Sequence, residues 1–174
     1  MSSDLTPVIA ATARWLLHAY PATGGAFSAT LAEAQARQAA MVAAWLRYPT
    51  ELDASLLHVV GPGGAERLDW VTGLDMDDDL DGEGAWRGWV DEVVASWAAC
   101  LLADSELAAA AAAAVRGSCH LAGLRCDFRR LTEPDRYDRQ AAALLRHPDL
   151  LAPVADLHAA ALRERLGDAP AEAA

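Results

Sequence analysis

The chain has 174 residues, 53% of them hydrophobic and 22% charged, with a net charge of −11; that balance suits one folded domain with its own core and excludes a disordered chain. All 14 basic residues are arginine and there is no asparagine. The missing lysine excludes Schiff-base chemistry on pyridoxal phosphate or an aldolase substrate, a phosphate-loop lysine and a kinase lysine, and the missing asparagine excludes N-glycosylation.

Alanine dominates, while β-branched and aromatic residues are sparse, which predicts an all-α fold. The expected architecture is a single-domain irregular helical bundle of about seven or eight helices over residues 1–167, with a frayed tail over 168–174. Thr6 and Pro7 start a first helix that stops before Pro21. After the PATGG loop, Ser28 or Thr30 is expected to cap a long helix reaching Tyr48, ended by Pro49. In it Leu31, Met41, Val42, Trp45 and Leu46 form the apolar side. Thr50 opens a short helix over 51–60, which GPGG at 61–64 breaks, and another short helix spans 65–74.

The stretch DMDDDLDGEG, residues 75–84, follows, and then a fifth helix, AWRGWVDEVVASWAACLLA. Here Trp86, Trp89, Val90, Val93, Trp97, Cys100 and Leu101 recur at helical spacing, while Asp91, Glu92 and Ser96 fall on the opposite face. Asp104 and Ser105 cap a polyalanine helix expected to run through Cys119 to about Arg125, with weak points at Gly117 and Gly123. Thr132, Glu133 and Pro134 open the next helix, ending at Arg146 and His147, and a last one covers about 150–166 before Gly167.

The charge is unevenly placed. Residues 1–49 carry a balance of +1, residues 50–106 hold fourteen acids against two arginines, residues 107–166 carry +2, and the tail carries −2. Nucleic-acid binding is not expected, because phosphate contact needs a basic footprint. Attraction to an anionic membrane surface is not expected either. Arg14 and His18 interrupt the apolar run at 7–20, so it does not read as a signal peptide, and the run near 107–115 is far too short to span a membrane. The three cysteines, Cys100, Cys119 and Cys126, read as reduced core thiols, with 119 and 126 seven apart on one helical face. A cytoplasmic setting is expected, and the arginine-only base usage fits a GC-rich bacterial coding bias.

Asp77, Asp79, Asp81 and Gly82 read D-x-D-x-D-G, which resembles the front half of an EF-hand calcium loop. The resemblance implies a Ca2+ or Mg2+ site at Asp77, Asp79, Asp81 and Glu83. The pattern departs at its ninth position, Ala85, and its twelfth, Gly88, where a bidentate Glu belongs. The same letters resemble the DDxxD magnesium motif of terpene and prenyl synthases, but no second motif accompanies them. Cys119, His120 and Cys126 match no closed zinc spacing, and the five histidines form no two-ligand helical pair. The plainer reading of the acidic stretch is a solvated linker whose carboxylates favour the positive end of the following helix.

Trp86 and Trp89 stand beside that stretch, with Asp91 and Glu92 one turn on, and an aromatic wall next to carboxylates suits a cationic partner. Packing against the preceding helix through Trp70 is the competing use of the two rings. Arg125, Arg129, Arg130, Arg136, Arg139 and Arg146 form a local basic band. The function expected from this pattern is a non-catalytic cytosolic binding or adaptor protein. Its acidic middle region would meet a basic protein partner or a second copy. The alternative is a helical small-molecule-binding protein or enzyme using a divalent cation at the acidic stretch.

Overall fold

The computed structural model describes residues 25–48, 52, 85–145 and 148–167. Among them the fold is an all-α bundle, with seven α-helices and one 3-10 turn. They are α1 (Ala26–Arg47), α2 (Ala85–Ala103), α3 (Ser105–Arg116), the 3-10 turn Cys119–Leu121, α4 (Arg129–Thr132), α5 (Arg136–Leu145), α6 (Pro148–Asp156) and α7 (Ala159–Leu166). The expected helices at 7–20 and 65–74 and the tail at 168–174 lie outside the described residues, and of the expected helix at 51–60 only Leu52 is described, helical and exposed.

α1 and α2 form the centre. α1 packs chiefly on α2 and α5, and α2 packs on α1 and α6 while also touching α3 and α7. Small residues permit this. Ala32, Ala36, Ala39 and Ala43 line one side of α1 and are buried, so neighbouring backbones approach closely. Larger side chains fill the remaining space: Val42, Leu46, Trp97, Leu101, Leu102, Leu107, Phe128, Leu131, Leu151 and Leu162 belong to one cluster. Ala32, Ala36 and Ala141 make a second, smaller contact.

The α2 boundaries match the expected ones, but its faces do not. Residues 93–102 are all buried, so the second half of α2 has no solvent face. Ser96, expected outside, is fully buried, and its hydroxyl oxygen accepts from the His158 N–H at 2.9 Å. One turn on, the Cys100 thiol donates to the Ala155 carbonyl at 2.9 Å. These two contacts hold the joint where one long C-terminal helix was expected. The chain breaks instead at Leu157 and His158, where the His158 N–H is taken by the Ser96 hydroxyl and not by a helical carbonyl. The stop at Gly167, left-handed at φ 78°, is as expected.

Three other ends differ from expectation. α1 begins at Ala26 after Gly25, and Thr30 donates to the Ala26 carbonyl instead of capping. α3 starts on Asp104, whose carboxylate accepts from Glu106 and Leu107 N–H groups at 3.0 Å, but stops at Arg116, with the Gly117 N–H turned back to Ala113. Cys119 and Cys126 therefore share no helical face; Cys119 is exposed and Cys126 half-buried, and of the three thiols only Cys100 is in the core. α5 starts at Asp135 rather than at 132–134. The Asp138 N–H donates to Asp135 at 2.7 Å, and the Asp135 N–H donates back to Asp138 at 3.2 Å, a reciprocal cap.

Candidate functional site

The expected metal ligands Asp77, Asp79, Asp81 and Glu83 lie outside the described residues, as does Trp70. Among the described residues, no three His, Cys, Asp or Glu side chains gather as metal ligands would, and this includes the Cys119, His120 and Cys126 stretch.

The aromatic part of the expected partner surface is better defined. Trp89 is half-exposed in the first turns of α2, and Asp91 and Glu92 beside it are half-buried. The Trp86 side chain lies outside the described residues. The Trp89 ring is already in contact with a cation of this chain. The Arg47 guanidinium carbon lies 4.8 Å from the ring centroid, and 6.0 Å from that of Tyr48. Arg47 occupies the last turn of α1, where the unsatisfied carbonyls also favour positive charge. Its Nε is buried and has no hydrogen-bond partner among the described residues. Trp89 thus meets a guanidinium on one face while 50% of the residue stays exposed.

A second polar arrangement was not anticipated as such. Arg130 places Nε at 3.0 Å and Nη2 at 2.6 Å from one Asp138 oxygen, while the other Asp138 oxygen completes the α5 cap. Asp138 is 4% exposed, so this carboxylate is satisfied by charge and by backbone at once. Its role is structural: it ties α4 to α5. The local signal was present in the sequence as Asp135-x-x-Asp138, a capping pattern one turn past the expected start.

Of the basic band, Arg130 is engaged in this way, while Arg125, Arg129, Arg136 and Arg139 are exposed and make no ion pair among the described residues; Arg146 lies outside them. Arg125 joins Arg116 from the end of α3 at the rim of an open hollow of about 430 Å³. Leu124, Cys126 and Asp127 line it too. A second hollow of about 570 Å³ is lined by Ser105, Thr132, Glu133, Pro134 and Arg139, where the two charges oppose each other.

Cys100 is chemically quiet. Burial raises its pKa from 9.0 to about 11, the nearby Arg163 opposes that rise, and Asp156 and Asp104 add to it. A thiol held protonated in this way is a poor nucleophile.

Among the described residues no helix is long and apolar enough to cross a membrane. No family model, no curated protein and no solved structure matches the chain.

Proposed function

We propose that this protein is a non-catalytic helical binding protein of the cytoplasm whose acidic middle region docks a basic partner. The observation that carries the reading is the charge partition: fourteen acids against two arginines over residues 50–106, beside near-neutral flanks. Concentrated like charge speeds encounter with an opposite surface and discriminates among partners. Trp89 leaves room for such a partner: Arg47 takes one face of its ring at 4.8 Å, and the residue is still 50% exposed.

The test is titration of the full chain with a fluorescent arginine-rich peptide at low and high salt. The same peptide is titrated against a variant carrying Asp77→Asn, Asp79→Asn, Asp81→Asn and Glu83→Gln. Binding to the parent should weaken steeply with salt, and the neutralised variant should lose at least about tenfold in affinity. Equal affinity of parent and variant would overturn the reading.

A further inference from the structure

We infer that the basic surface met by the acidic stretch is the hollow between Arg116 and Arg125 on a second copy of this chain. The inference rests on the docking reading above and identifies the partner.

The hollow is built from local structure. α3 ends at Arg116, the 3-10 turn Cys119–Leu121 follows, and Gly123 at φ 95° turns the chain back. The Leu124 N–H donates to the Leu121 carbonyl at 3.1 Å, fixing that turn. Phe128 anchors the far end: it is 2% exposed and meets the Trp45 ring edge to face at 5.5 Å. The rim is therefore held before any partner arrives, which reduces the ordering cost of binding.

Its chemistry is amphipathic. Arg116 and Arg125 are exposed and form no ion pair among the described residues. Asp127 is the one acid in the lining, against the two arginines, so positive charge prevails, and its carboxylate accepts from the Arg129 N–H at 3.0 Å. Leu124 is 41% exposed at the same place. A volume of about 430 Å³ suits one or two side chains of an extended peptide, not a folded domain. The occupant that matches is an acidic segment with isolated apolar residues. Residues 75–84 of this chain have that composition: five aspartates and a glutamate around Met76 and Leu80. Carboxylates would meet the two guanidinium groups, and Leu80 or Met76 would cover Leu124. The contact joins two different surfaces of two copies, either reciprocally about a twofold axis or head to tail, and in both arrangements association must rise with protein concentration.

The test is sedimentation of the full chain over a range of concentrations at low and high salt, with two variants. The first carries Arg116→Ala and Arg125→Ala, both on exposed side chains, and the second carries Asp77→Asn, Asp79→Asn and Asp81→Asn. Their melting curves check that the fold is kept. The parent should associate at low salt, and each variant alone should lose at least about tenfold in association. An equimolar mixture of the two variants should form a 1:1 dimer through a single contact, since one copy supplies an intact hollow and the other an intact acidic stretch. A parent that stays monomeric, as docking within one chain would require, overturns the inference, as does a variant that associates like the parent. If the parent is monomeric yet still binds the arginine-rich peptide, the docking reading stands and only the identity of the partner is wrong. If both experiments fail, both fall.

Discussion

Arg47, in the last turn of α1, lays its guanidinium 4.8 Å from the ring centroid of Trp89, in the first turns of α2. The contact joins the two central helices, and it sets a cation where an outside one was expected. A cation–π contact that is partly desolvated contributes about 0.5–2 kcal/mol. A double-mutant cycle with Arg47→Ala and Trp89→Leu in urea should return a coupling of about 1 kcal/mol. Additive losses would show that the two side chains are neighbours without an energetic link.

The Arg130 to Asp138 contact should matter more for stability. Asp138 is 4% exposed, and removing its carboxylate leaves Arg130 and the Asp135 N–H without their acceptor. Asp138→Ala should cost about 3 kcal/mol in denaturant unfolding. Asp138→Asn, which keeps an oxygen acceptor for the α5 cap, should cost less. Arg130→Ala should be comparably costly, because it leaves the Asp138 carboxylate, 4% exposed, without its cationic partner. Asp138→Ala behaving like the parent would remove the pair from the account of how α4 and α5 are held.

The cysteines should separate by reactivity. Cys119 is exposed and should be alkylated in the folded protein, while Cys100 should react only on unfolding. The pH dependence has a definite sign. The Cys100 pKa is raised on folding from 9.0 to about 11, so its neutral thiol favours the folded state. That contribution is complete below pH 9 and is lost as pH rises through about 11, an effect on the order of 2–3 kcal/mol. Melting curves across this window should fall more steeply for the parent than for Cys100→Ala. Parallel curves would show that burial does not control this thiol.

Divalent cations distinguish the two chemistries open to the acidic stretch. Under the docking reading, calcium, magnesium and chelator should each leave the thermal midpoint of the parent unchanged. An upward shift of several degrees that Asp79→Ala abolishes would assign Asp77, Asp79 and Asp81 to a metal ion instead.

The sequence by itself determined the helical class, the limits of α2, the Asp104 cap, the ends of α1 at Tyr48 and of α7 at Gly167, and the uneven charge. Each of these is written within a few residues: alanine content, a capping carboxylate, a proline or a glycine, a run of aspartates. Other features are set by partners far along the chain. Trp89 meets Arg47, and the break at His158 depends on Ser96, which is 62 residues away and hidden on a face that its neighbours Asp91 and Glu92 made look solvated. Helical periodicity tells which residues share a side. It does not tell how many sides will be covered, and α2, packed between α1 and α6, is covered on all of them over residues 93–102. Burial, and with it the state of a thiol or the use of a tryptophan, was therefore decided only when the helices packed.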